Sequence, residues 1–342
     1  MDKSWAGGKY MIGWIGWKTN YNRLCLVLTI LFLVATILHK ESMVAQKVRV
    51  NPTTNKISRE DTKHLVINVE LVNVLFTVTG PKGRLVTNLQ QPNFKLYEDK
   101  KLQKITNFSQ ETDLPLTIAV LIDTSTSITD RFKFEQEAAI DFLYRTLRPG
   151  KDKALLITFD SAIELVQDFT DNPQVLAKSI KRIRPGGGTK LLDSLYLTCQ
   201  EKLKAEPGRT RKIIILISDG DDNLSMESVV STLEMVQRSD VSIYAISTNS
   251  SGFFSVKAPK SDKLLKRLAQ ETGGQAFFPF KSDDLAQSFA AISTELRSQY
   301  SLAYRSSNTR RDGSFRSIKI KINRKKLKVK TRKGYYSSRT SS

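Results

Sequence analysis

The sequence predicts an α/β protein in which a doubly wound, mostly parallel sheet is inserted into a small antiparallel β-sandwich formed by the N- and C-terminal flanks. Three observations predict it. The runs Leu116–Ile122 and Ile213–Ser218 are continuously apolar, as strands buried on both faces must be. Strand-like runs alternate with helix-patterned stretches across residues 114–300, the pattern of a mostly parallel sheet with crossover helices. On either side lie short alternating segments, and a flank of roughly 50 residues is too small to bury a core of its own. The flanks are therefore expected to pair.

The elements follow in order. Residues 1–45 form a leader whose apolar run, Leu24–Leu38, is preceded by Lys18 and Arg23 and followed by His39, Lys40 and Glu41. That is the form of a cleaved secretory signal or a retained membrane anchor, and Met43-Val44-Ala45 before Gln46 does not choose between them. Export to the periplasm or exterior, or anchorage to the membrane by this segment, is the expected location. Residues 60–112 are the first part of the sandwich, with strands over Val66–Thr79, Phe94–Glu98 and Ile105–Phe108. In the central domain, helices are expected over Phe132–Leu147, Val175–Ile183, Leu191–Lys204, Val229–Arg238, Leu264–Glu271 and Leu285–Tyr300. Further strands are expected at Ala154–Phe159, at Ile163–Phe169 as an antiparallel edge, at Val241–Ser247 and at Gln275–Phe278. Residues 301–336 complete the sandwich, with Arg311-Asp312-Gly313 as a hairpin turn, and 337–342 are a tail.

The chemistry lies where strands end. The first buried run leads into Asp123-Thr124-Ser125-Thr126-Ser127, and the second into Asp219-Gly220-Asp221-Asp222. In open α/β sheets the loops beyond the carboxyl ends of the strands form the ligand crevice. Between the two runs, Pro185-Gly186-Gly187-Gly188-Thr189 gives backbone and Thr189 close access to such a crevice. Carboxylate and hydroxyl oxygens without His or Cys suit a hard divalent cation, with Mg²⁺ expected first and Mn²⁺ or Ca²⁺ compatible. Asp160, Asp221 and Asp222 are outer-shell candidates.

The order D-x-S-x-S, then Thr after a glycine loop, then Asp-Gly after a buried strand resembles the von Willebrand factor type A domain. The resemblance implies a metal-ion-dependent adhesion site (MIDAS) at Asp123, Ser125, Ser127, Thr189 and Asp219. It implies serine, and in one state threonine, hydroxyls on the metal, aspartates acting through water, and an acidic side chain of a partner protein completing the octahedron. The flanks, with Arg332-Lys333-Gly334-Tyr335-Tyr336 at the end, are similar to a type A subfamily described from acidobacteria. The expected function is non-catalytic, metal-dependent protein binding in the bacterial cell envelope. The alternative is a scaffold role in which the metal only rigidifies the loops, with hydrolysis by metal-activated water as a minor one.

Catalytic classes fare poorly. The two histidines, His39 and His64, stand outside the central domain, which leaves a Ser-His-Asp or Cys-His arrangement without a base. Gly186–Lys190 lacks the Lys-then-Ser/Thr order of a Walker A loop. A haloacid-dehalogenase-type phosphatase needs a second Asp where Ser125 stands. Cys199 reads as a buried small hydrophobe, and no disulfide is expected. The formal net charge is +20, and residues 305–342 hold 14 Lys and Arg against one acidic residue, Asp312. Lys319, Lys321, Lys325, Lys326, Lys328 and Lys330 read either as the solvated face of a sheet or as contacts to an anionic surface. Nucleic acid is not expected as a partner, and nothing in the sequence sets an oligomeric state.

Overall fold

The computed structural model describes residues 71–111, 113–126, 132–206, 210–249 and 260–339. The expected leader and Ser127 lie outside the described residues. Residues 66–342 form one compact unit that contains all three hydrophobic cores.

At its centre is a six-stranded sheet. Its strands are β5 (Leu116–Asp123), β6 (Lys153–Phe159), β7 (Ile163–Thr170), β8 (Arg211–Ser218), β9 (Val241–Ser247) and β10 (Ala276–Phe277), in the order β10-β9-β8-β5-β6-β7. All neighbours are parallel except the edge pair β6 and β7. Every residue of β5 is buried, which explains its unbroken apolar sequence. Alternate side chains divide between two cores. Ile118, Val120 and Ile122 meet α1 (Phe132–Thr146), α2 (Pro173–Ile180) and α6 (Ser282–Leu296) through Phe142, Ile180 and Ile292. Ala119 and Leu121 face the other way, toward Leu195 of α3 (Leu191–Leu197), Val236 of α4 (Val229–Arg238) and Leu268 of α5 (Lys260–Glu271).

This winding positions a crevice. The helix after β5 packs on one face of the sheet and the helix after the adjacent β8 on the other, so their connecting loops diverge over the carboxyl ends of the two strands.

The flanks pair as expected. One antiparallel sheet runs β13-β1-β11-β4, from β13 (Lys328–Thr331), β1 (Leu71–Thr79), β11 (Gln299–Arg305) and β4 (Ile105–Glu111). The other runs β14-β12-β2-β3, from β14 (Gly334–Tyr336), β12 (Phe315–Ile322), β2 (Phe94–Glu98) and β3 (Lys101–Gln103). Both sheets mix strands from the two flanks, so neither closes without the other. Phe76, Phe94, Phe108 and Tyr300 cluster in the core between them, with ring centroids 5.0–6.5 Å apart. Within that core Glu98 accepts hydrogen bonds from Tyr304 (2.6 Å), Tyr335 (2.9 Å) and Ser306 (2.5 Å).

Three local expectations are corrected. The last helix ends at Leu296, because Arg297 caps it and Gln299 already belongs to a strand. Residues 311–313 form a turn, with Gly313 at φ 74°, but they connect strands of two different sheets and close no hairpin. The helix expected to Lys204 is α-helical only to Leu197; beyond it the backbone widens, with Lys204 N donating to Cys199 O at 2.8 Å. Cys199 is buried, which pushes its thiol up and leaves it inert. Among the described residues no helix is long and apolar enough to cross a membrane.

Candidate metal centre

Asp123 is the last residue of β5 and is fully buried. Both of its oxygens are fixed: Ser125 N donates to Oδ1 at 2.9 Å, and Ser218 Oγ, at the end of β8, donates to Oδ2 at 2.6 Å. Ser218 Oγ also accepts from Gly220 N at 2.9 Å, so one hydroxyl ties the first carboxylate to the loop that carries the second. That loop turns at Gly220, with φ 77°, and Asp221 N donates to Asp219 Oδ1 at 3.0 Å. Asn249 Nδ2 holds the Asp219 carbonyl at 2.7 Å.

The glycine loop is stitched to the first oxygen loop by its backbone. Gly186 N donates to Thr124 O (2.5 Å) and Thr126 N to Gly187 O (3.3 Å). Gly187 has φ 93°, and a Cβ there would lie 2.9 Å from Ser161 Oγ, so this position requires glycine. Thr189 is buried, its N–H donating to Asn223 Oδ1 at 3.0 Å, while its carbonyl accepts from Asn223 N and Leu224 N. Ser125, Thr189 and Asp219 are thus carried on three loops joined to one another around Asp123.

The outer-shell candidates divide. Asp160 accepts from Thr124 Oγ1 (3.1 Å) and Ala162 N (2.8 Å), bracing the first loop. Asp222 accepts from Leu191 N (3.1 Å) at the start of α3, and burial pushes its carboxyl up. Asp221 is exposed and contributes its backbone N–H. Sequence reasoning missed Ser218, Asn223 and Asn249. Only Ser218 carried a signal, as the polar residue that ends an apolar strand. Of the lysines read as anionic-surface contacts, Lys319 and Lys321 are on β12, Lys325 and Lys326 follow it, and Lys328 and Lys330 are on β13 in the other sheet. Lys330 is committed internally, 2.5 Å from Glu295 Oε2 and 2.9 Å from Gln275 Oε1.

The electrostatics fit a cation. Burial above all pushes the Asp123 carboxyl from 3.8 up to about 6, against the pull of the Ser218 and Ser125 hydrogen bonds, and the Asp219 charge adds to the rise. Among the described residues no Lys or Arg pairs with Asp123, and a divalent ion would supply a counter-charge to this buried carboxylate. Among those residues, too, no three His, Cys, Asp or Glu side chains gather, which leaves a mixed carboxylate and hydroxyl donor set.

Residues 118–221 match the family of the von Willebrand factor type A domain. That segment is a von Willebrand factor type A domain. It is 26% identical over 211 residues to calcium-activated chloride channel regulator 1 of Bos taurus, covering 60% of this chain and 20% of that protein. Among solved structures it is similar to proximal thread matrix protein 1 of the mussel byssus with a zinc-occupied MIDAS motif, at 19% identity and TM-score 0.46, over 58% of this chain and 49% of that one. It is also similar to the vWF domain of the type V pili tip protein Mfa5 of Porphyromonas gingivalis, at 14% identity and TM-score 0.44, over 54% of this chain and 95% of that one. The chain thus spans about a fifth of the curated relative and about half of the mussel protein.

Proposed function

We propose that this protein is a non-catalytic binding module of the bacterial cell envelope, which takes an acidic side chain of a protein partner through a divalent cation. The observation that carries the reading is Asp123: fully buried, held at both oxygens by hydrogen bonds, beside Asp219, with no cationic side chain paired to it among the described residues. Asp123, Ser125, Ser127, Thr189 and Asp219 hold the ion, with Mg²⁺ the expected occupant. When bound, the ion supplies a hard Lewis-acid centre that accepts one more carboxylate oxygen. Ser218, Asn223 and Asn249 keep the donor loops in place.

A binding role suits the chemistry of the site, where Asp160 and Asp222 are engaged in bracing loops. The apolar run Leu24–Leu38 with its basic flank supports export or membrane anchorage. Affinity capture from cell-envelope extract, run with and without chelator, tests the reading. A partner released by EDTA and lost with Asp123→Ala supports it. A partner retained under both conditions replaces it with the scaffold role, in which the metal only rigidifies the loops.

A further inference from the structure

The sandwich brings together lysines that are far apart in sequence. In β12, Phe315, Ser317, Lys319 and Lys321 are exposed while Arg316, Ile318 and Ile320 are buried, so the odd positions form the outer face. The register places Lys321 opposite Lys95 and Lys319 opposite Tyr97, and Tyr97 in turn opposite Leu102. Lys104 is exposed one alternation beyond Leu102, on the side of β3 nearest Lys95. Two basic stretches more than 200 positions apart thereby become one surface.

Three features set this surface apart from a merely solvated one. Lys321 and Lys95 are directly opposed like charges, an arrangement that destabilises a sheet. Among the described residues none of Lys95, Lys104, Lys319 or Lys321 forms an ion pair with a carboxylate, and Glu98, the acidic residue of β2, points into the core. Asp99, in the turn after β2, is engaged by Ser317 N at 2.8 Å. Finally, Leu102 is 64% exposed amid the lysines, on the rim of a shallow depression of about 340 Å³ that Lys95 and Lys104 also line.

We propose that this face docks on the anionic headgroups of a lipid bilayer, with phosphate oxygens taken by the lysines and Leu102 entering the interfacial region. Leu102, an aliphatic side chain on the edge strand beside the lysines, offers a nucleic acid neither a hydrogen bond nor a stacking ring. The ring that could stack on a base, Tyr97, is covered by Lys321, whose Nζ lies 5.0 Å from its centroid. The face also belongs to the sandwich, which packs against the amino-terminal ends of the parallel strands: Arg332 reaches Asp240 just before β9, and Lys333 N donates to Glu271 O at the end of α5. Asp123 and Asp219 lie at the opposite, carboxyl ends of those strands, so the sandwich and the candidate metal centre are at opposite ends of the central sheet. The same chain carries the apolar Leu24–Leu38 run, whose form as a secretory signal or membrane anchor takes the protein to a bilayer during export or holds it there afterwards. The inference does not depend on the metal.

The test uses residues 66–342, the compact unit that holds all three cores, so that the apolar run makes no contribution. Co-sedimentation is measured with vesicles of phosphatidylcholine alone and with roughly a third phosphatidylglycerol, at about 50 mM and about 300 mM salt. Binding is expected only to the anionic vesicles, and to weaken at the higher salt. At about fivefold per lysine, Lys319→Gln/Lys321→Gln lowers partitioning about 25-fold. The charge-matched Lys263→Gln/Lys266→Gln pair on α5 leaves it within about twofold, because those side chains are on another surface. Leu102→Ser, which keeps every charge, lowers it about threefold or more. No binding at low salt, equal losses in the two lysine pairs, or binding unaffected by Leu102→Ser overturns the proposal. So does a duplex DNA that competes the protein off the vesicles at equal phosphate concentration, which assigns the face to nucleic acid.

Discussion

Asp123 makes the metal-free domain sensitive to pH in an unusual direction. Its carboxyl is raised from 3.8 to about 6, so between those values the folded protein binds more protons than the unfolded chain. Stability therefore falls as pH rises through this window; the penalty is absent below the lower value and complete above the upper one. About two units correspond to about 3 kcal/mol. Asp123→Asn removes the titrating group while keeping an oxygen to accept from Ser125 N, and Ser218 Oγ can turn to accept from the new amide. In chelator at pH 7 the variant is expected to be more stable than the parent by about 1–3 kcal/mol, the upper bound being the full titration penalty. Urea denaturation of residues 66–342 at a series of pH values, in EDTA, reads this directly. A parent whose stability is flat or rises from pH 4 to 6, or a variant less stable than the parent at pH 7, refutes the reasoning.

Three further outcomes follow from the packing. The Asp152 side chain is buried; burial works to raise its carboxyl, but hydrogen bonds from Arg148, Leu116 N and Arg297 outweigh it and hold it below the usual range. Its contribution is thus present above the unfolded value and lost as pH falls, and Asp152→Asn costs about 3 kcal/mol at pH 7 by urea denaturation, with a weaker acid limb. Tyr304→Phe removes a 2.6 Å bond to the buried Glu98 carboxylate and lowers stability by about 1.5–3 kcal/mol in the same assay. Gly220→Ala places a Cβ 2.9 Å from the Ser261 carbonyl at φ 77°, and is expected to cost about 2 kcal/mol and to weaken metal binding, because Asp219 is its immediate neighbour.

The central sheet was legible because strands buried on both faces leave long Ile, Val and Leu runs, and the candidate centre because its oxygen loops directly follow two of them. The pairing of the flanks was legible by size alone. What escaped were features fixed by tertiary neighbours. Asn223 and Asn249 are single polar residues in loops, and their importance comes from the Thr189 and Asp219 backbone groups they meet. The end of the last helix was hidden because Arg297 to Tyr300 continues a plausible apolar period, whereas pairing of Gln299 and Tyr300 with β4 claims those residues for a strand. The turn at 311–313 has the chemistry of a hairpin, but local turn chemistry does not decide which strands pair. Lys95 and Lys104 gave no signal because their neighbours Lys319 and Lys321 belong to the opposite end of the chain.

The most direct test of the proposed function is calorimetric titration of Mg²⁺ into metal-free protein, repeated with Asp219→Ala. One ion per chain, with binding abolished in the variant while its urea midpoint in chelator is preserved, is the predicted result. Absence of saturable binding by the folded parent protein, or unchanged binding by the variant, contradicts it.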